Sequence, residues 1–292
     1  MQLVFDNISI DPLKIWTGKS VEAAVLRLDK IHPVISGNKW FKLRYYLQEA
    51  KELGKKQIIT FGGAWSNHIV AAAAICKMNN IAATGIIRGE EPASWSSTLL
   101  QAKEYGMQLH FVSREDYALK RIPLSLQNDA NYLIPEGGFG ERGAAGASTI
   151  LDKIDKNFTH YCCAIGTGTM MAGLINAVLP GQQVIGASVM KNNYALNENV
   201  RSLVINKPEE WQIIHDYHFG GYAKHTPELI RFMNEFCRQT GIPSDFVYTG
   251  KLFYAISDLF RADFFPSGSR LLLVHSGGLQ GNNSLEKGTL IF

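Results

Sequence analysis

Residues 58–78 read IITFGGAWSNHIVAAAAICKM, and this stretch decides the fold. Ile58-Ile59-Thr60-Phe61 is a β-branched and aromatic run of the kind a buried strand requires. Gly62-Gly63 breaks it, and Ser66-Asn67 open an alanine-rich segment, His68 to Met78, whose small side chains suit a tightly packed helix. A second strand, Ala82 to Ile87, follows. Strand, glycine turn, helix and strand make a βαβ unit, the building block of a parallel sheet.

The alternation continues in both directions. Upstream, Val25 to Leu28 reads as a strand, and a helix from Trp40 to Leu53 ends near Gly54. Downstream come helix Ser96 to Tyr105, strand Gln108 to Val112, strand Tyr132 to Ile134 and a helix near Arg142 to Ile154. Strand His160 to Ile165 runs into Gly166-Thr167-Gly168-Thr169 and a helix, and strand Gln183 to Ala187 follows. The chain is less regular to about Thr226; helix Pro227 to Thr240 then has proline at its first turn and Gly241 at its end. Leu271 to His275 is a last strand before Ser276-Gly277-Gly278. The class is α/β, and 292 residues suffice for one large domain or two that share a cleft.

Composition excludes several functions. A formal net charge of +3, with no basic run, argues against nucleic acid or an anionic membrane as partner. The N-terminus, Met1 to Asp6, lacks a signal-peptide pattern, and the longest apolar run, Ile69 to Cys76, is too short to span a bilayer. Cys76, Cys162, Cys163 and Cys237 form no CxxC pair and read as core residues of a reducing compartment, so the expectation is a cytoplasmic protein without a metal site.

In parallel sheets, ligands collect at the carboxyl ends of strands. Gly166-Thr167-Gly168-Thr169 can cradle a phosphate through backbone N–H groups, threonine hydroxyls and a helix N-terminus, or can simply be a tight turn. It is neither a P-loop nor a dinucleotide fingerprint, since no Gly-Lys-Ser/Thr follows and Gly173 is misplaced. Lys39 follows Ser36-Gly37-Asn38 at a helix start, which lowers a lysine pKa and eases imine formation; alone it reads as a surface lysine. Lys42, one turn on, can reach an anion as a point charge. Ser66 and Asn67 are helix caps or donors to an oxyanion. Nothing local singles out Tyr222, Tyr248, Thr249 or Ser276, and no GxSxG or HExxH motif is present.

Taken together, the loops resemble the D-cysteine desulfhydrase and 1-aminocyclopropane-1-carboxylate deaminase family of pyridoxal phosphate (PLP) enzymes, which share the tryptophan synthase β fold. The matching stretches are residues 36–43 (SGNKWFKL), 62–68 (GGAWSNH), 88–92 (RGEEP), 135–138 (PEGG), 166–169 (GTGT), 221–223 (GYA), 247–251 (VYTGK) and 275–278 (HSGG). They span nearly the whole chain in the family's order. The resemblance implies two open twisted, mostly parallel sheets in two domains with PLP in the cleft. The larger domain would hold residues 1–42 and 151–292, and the smaller, inserted one residues 43–150.

The resemblance also distributes roles. Lys39 is the Schiff-base lysine, Lys42 and the loop Gly166, Thr167, Gly168 and Thr169 take the phosphate, and Asn67 bonds the phenolic oxygen. Ser66 faces the substrate carboxylate or assists proton transfer, and Tyr222 and Tyr248 are the two active-site tyrosines. Trp65, Asn67, His68 and Ser276 complete the substrate pocket. Thr249 stands where the deaminases carry a glutamate, and a threonine hydroxyl is expected to donate to a neutral ring nitrogen, as in the desulfhydrases. Trp65 replaces the family's usual glutamine, the phosphate loop is less glycine-rich at Thr169 and Met170, and the chain is shorter than typical members. The implied activity is α,β-elimination from D-cysteine or a related amino acid by a homodimer. The alternatives are cyclopropane deamination, another D-amino-acid reaction on the same fold, or a PLP-binding protein with little catalysis.

Overall fold

The structure, a computed structural model, describes residues 3–16, 20–152, 154–155, 157–205 and 211–292. In chain order its elements are β1 (Ile10–Pro12), β2 (Glu22–Arg27), α1 (Asn38–Glu52), β3 (Gln57–Gly62), α2 (Asn67–Met78), β4 (Ala82–Arg88), α3 (Ser97–Glu104), β5 (Gln108–Val112) and α4 (Arg114–Ala118). Then come β6 (Asn131–Ile134), α5 (Glu141–Ser148), β7 (His160–Ile165), α6 (Thr169–Ala177), β8 (Gln183–Ser188), α7 (Leu196–Arg201), β9 (Trp211–Ile214), α8 (Pro227–Thr240), α9 (Thr249–Arg261) and β10 (Arg270–His275).

These strands form two sheets. One has six strands in the order β1-β2-β10-β7-β8-β9, and the other four in the order β5-β4-β3-β6. Only β1 pairs antiparallel; every other ladder is parallel. The four-stranded sheet is built from chain that leaves the larger sheet after β2 and returns at β7, so it is an insertion. The eight expected strands are all present, within a few residues of the expected bounds.

Four differences stand out. Strands β1 and β9 were not expected, and both are short edge strands whose pairing, not composition, creates them. The irregular stretch before Thr226 holds α7 and β9, while its residues 206–210 lie outside those described. The helix expected near Arg142 to Ile154 ends at Ser148 and closes with a 3-10 turn, Thr149–Leu151. Helices α4 and α9 are further additions.

Alternation along the strands sorts the core. Leu26, Cys163, Ile165, Leu272 and Val274 face α5 and α6, whereas Val25, Cys162, Ala164, Leu271 and Leu273 face α9. In the smaller sheet Ile58, Ile87 and Ile134 pack under α2, whose Ala71 to Ala74 are almost fully buried. Helix α1 serves both bodies: Phe41 joins the core of the larger sheet, and Leu43, Tyr46 and Leu47 join that of the smaller. The cysteines are free, and burial pushes the Cys76 and Cys163 thiols up to about 12, which keeps them unreactive. No described helix is long and apolar enough to cross a membrane.

Helix α5 meets α1 backbone to backbone. A Cβ added at Gly146 would lie 1.9 Å from the carbonyl oxygen of Phe41, an approach only glycine permits. Gly146→Ala is therefore expected to destabilise the protein by about 1–3 kcal/mol, the usual range for overpacking. Thermal unfolding checks this; a melting temperature equal to wild type would contradict the contact.

Candidate active site

The strand ends carry the site. After β2, the chain passes through Ser36-Gly37-Asn38 into α1, and after β10 it turns through Ser276-Gly277-Gly278. A Cβ at Gly37 would sit 1.7 Å from Ser276 O, so the two backbones touch. Asn38 N–H donates to Ser276 O at 3.2 Å, and Gly278 N–H to Ser36 Oγ at 3.2 Å. This lock sets Lys39 at the first turn of α1. Its ammonium donates to Asn38 Oδ1 at 2.8 Å and lies 5.9 Å from the centre of the Tyr248 ring. Burial lowers its pKa to about 8, with nearby Asp245 opposing.

Lys42 is more extreme. It is buried, and its ammonium has no hydrogen-bond or ion-pair partner among the described residues. Burial, then Lys39, drives its pKa well below the ordinary lysine value. A buried cation without an anion is unfavourable unless a ligand supplies one. The Pro135–Gly138 turn links Lys42 to the phosphate-type loop: a Cβ at Gly138 would meet Lys42 Cβ, and one at Gly137 would meet Thr167 Cγ2. Thr167 and Thr169 hydroxyls lie 2.9 Å apart at the start of α6, whose N-cap, Gly168, offers no side chain to the first N–H groups. Gly166 abuts the Tyr248 ring, so loop and tyrosine share one wall.

At the start of α2, Ser66 Oγ caps the helix by accepting from Ile69 N–H at 3.4 Å. Asn67 donates one N–H to Gly278 O at 3.3 Å, and its buried Oδ1 has no partner. His68 turns into the smaller sheet. Thr60 Oγ1 gives its proton to Ile134 O, so the 2.7 Å contact with His68 must be donated by Nε2–H, leaving Nδ1 as an unpartnered acceptor. Burial and both lysines hold that histidine neutral. Trp65 is largely exposed on the turn after β3.

Tyr248 O–H donates to Tyr222 O at 3.5 Å, the rings meeting edge to face with centroids 6.1 Å apart. Burial raises both phenol pKa values, more strongly for Tyr248, where Tyr222 adds to it, so both are protonated at neutral pH. Thr249 bonds within the protein. Its hydroxyl accepts from Asp245 N–H at 2.8 Å and donates to Asp245 Oδ2 at 2.7 Å. The proton is thus committed to a carboxylate, and only an oxygen lone pair is left for another partner. Asp245 also accepts from the N–H groups of Val247, Tyr248 and Thr249, which oppose the rise that its burial imposes on its pKa.

Asp245 and Lys251 were not singled out in the sequence. An aspartate just ahead of a helix is a capping signal and was there to find. The burial of Lys251 leaves no local trace.

The residues fit PLP: an amine of lowered pKa for its aldehyde, a second lysine with a helix N-terminus for its phosphate, and the second amide N–H of Asn67 for its phenolic oxygen. Lys42→Met should raise the melting temperature of the cofactor-free protein by removing a buried amine without a hydrogen-bond partner among the described residues. It should also weaken PLP binding by about tenfold or more, as loss of one charge-assisted bond does. Unfolding with and without PLP reads both, and unchanged affinity would contradict the assignment.

Comparison with known proteins agrees. The family model described as "Pyridoxal-phosphate dependent enzyme" matches residues 13–277. The bifunctional D-cysteine desulfhydrase/1-aminocyclopropane-1-carboxylate deaminase of Arabidopsis thaliana is 28% identical over 281 residues, covering 85% of this chain and 70% of that protein. A protein of Pyrococcus abyssi described as "Putative 1-aminocyclopropane-1-carboxylate deaminase" is 29% identical over 286 residues, covering 89% of this chain and 86% of that protein. Among solved structures, an ACC deaminase homologue superposes with a TM-score of 0.81 at 26% identity, covering 97% of this chain and 92% of that one. The O-acetylserine dependent cystathionine β-synthase of Helicobacter pylori, at 16% identity and a TM-score of 0.71, shares the fold. The chain belongs to the pyridoxal phosphate-dependent enzymes, in the group of the 1-aminocyclopropane-1-carboxylate deaminases and D-cysteine desulfhydrases, and its cofactor is PLP.

Proposed function

We propose that this enzyme eliminates a β-thiol from D-cysteine or a closely related small amino acid. D-cysteine and water would give pyruvate, ammonia and hydrogen sulfide. The observation that carries this reading is the protonated tyrosine pair beside Lys39, with a threonine in place of a carboxylate at position 249. The cofactor would lie in the cleft between the larger domain, residues 1–42 and 151–292, and the inserted one, residues 43–150. A homodimer in the cytoplasm belongs to the same proposal and rests on the resemblance and on the unpaired core cysteines.

When bound, PLP supplies an aldehyde for the substrate amine and a ring that delocalises the charge left at Cα. Lys39 would hold it, Lys42 and residues 166–169 would take its phosphate, Asn67 its phenolic oxygen and Thr249 its ring nitrogen. Lys39 is also the base for the Cα proton, a task that needs the neutral amine its lowered pKa provides. Because Tyr248 points its proton at the Tyr222 oxygen, Tyr222 keeps its own proton to give to the departing sulfur. Ser66 would face the substrate carboxylate, with His68 and Ser276 behind it, and Trp65 would narrow the pocket.

One observation favours a second reading, opening of 1-aminocyclopropane-1-carboxylate. With its proton on Asp245, Thr249 offers a lone pair, which suits a protonated ring nitrogen and a stronger electron sink. Product assays on D-cysteine, L-cysteine and the cyclopropane substrate separate the two. Sulfide and pyruvate from D-cysteine are expected, lost in Lys39→Ala and reduced in kcat by about 10²-fold in Tyr222→Phe, the usual scale of one proton-transfer group. A Lys39→Ala protein that releases sulfide at the wild-type rate sinks the proposal. Release of 2-oxobutanoate without sulfide supports the second reading instead.

A further inference from the structure

We propose that Lys251 is a positioning residue whose buried ammonium clamps the 218–221 turn and thereby holds Tyr222 against Tyr248. This rests on the reading that the tyrosine pair moves a proton. Lys251 is 0% exposed, and its Nζ donates to two backbone carbonyls, His218 O and Gly221 O, each at 2.8 Å. No carboxylate pairs with it among the described residues. A cation buried in the first turn of a helix opposes both desolvation and the helix dipole, so its presence calls for a reason beyond core packing.

The reason lies in the turn. Phe219, Gly220, Gly221 and Ala223 all have positive φ, at 49°, 93°, 115° and 52°. Such a run persists only where the surroundings over-determine it. Gly220 N–H donates to His218 Nδ1, Gly221 N–H to His218 O and Lys224 N–H to Gly221 O, and Lys251 ties the two carbonyl ends together. Tyr222 follows the clamped carbonyl directly. Tyr248 caps the helix that carries Lys251. One helix end therefore fixes both phenols, Tyr248 through its own backbone and Tyr222 through the lysine.

The test is a double-mutant cycle on the holoenzyme with hydrogen exchange on the cofactor-free protein. Lys251→Met should lower kcat by about 10- to 100-fold with KM nearly unchanged, as a displacement of about 1 Å in a catalytic group does. In Lys251→Met/Tyr222→Phe, kcat should equal that of Tyr222→Phe alone. Exchange should accelerate in residues 218–224 and not in α2. Lys251→Gln, which keeps a donor, should fall between the two and covers the case in which the methionine variant does not fold. Additive losses in the double variant, or unchanged exchange at 218–224, overturn the clamp. Full activity in Tyr222→Phe would overturn the proton-transfer reading, while accelerated exchange would still support the clamp itself.

Discussion

Backbone against backbone, Gly37 and Ser276-Gly277 pass so closely that no side chain fits between them, and the site depends on this contact. The loop after β2 and the loop after β10 leave neighbouring parallel strands, yet only glycine lets them merge. Asn38 and Ser36 then bond across the seam, α1 starts at a fixed angle, and Lys39 and Lys42 enter the same space one helical turn apart. Asn67 reaches the seam from the smaller sheet by donating to Gly278 O. A shift at this point would move Lys39, Lys42 and Asn67, the residues proposed to hold PLP, together.

Charge is the second constraint. Lys39, Lys42 and Lys251 are all driven below their ordinary pKa by burial, and Asp245 is the carboxylate that opposes this at Lys39 and Lys251. Asp245 is held by Thr249 and by three backbone N–H groups, and Lys42 has no ion-pair partner among the described residues. In the proposed site a dianionic phosphate would complete that balance, and stability given up to a pre-formed anion site would be regained on binding.

Much of this was legible in the sequence. The βαβ alternation placed eight strands, because parallel strands buried on both faces read as short apolar runs, while their division between two sheets came from the family resemblance. The glycine- and serine-rich loops marked the candidate site, because ligand loops need close backbone approach. Edge strands β1 and β9 were not legible, since three or four residues at a sheet margin become a strand only through a partner. Helix α9 was within reach, as Leu252, Phe253, Ile256 and Phe260 repeat at helical spacing, but its opening residues stand out first as a motif. The roles of Thr249 and Lys251 were hidden for another reason. Where a hydroxyl sends its proton, or whether a lysine is buried, depends on residues distant in sequence or on a turn that local propensity does not describe.

The central claim is that Lys39, among three lysines of lowered pKa, is the one that carries PLP. Borohydride reduction of the holoenzyme followed by peptide mass spectrometry tests it directly. A single pyridoxyl-phosphate label on Lys39 is the predicted result. A label on Lys42 or Lys251, or no stable label after reduction, would contradict the account.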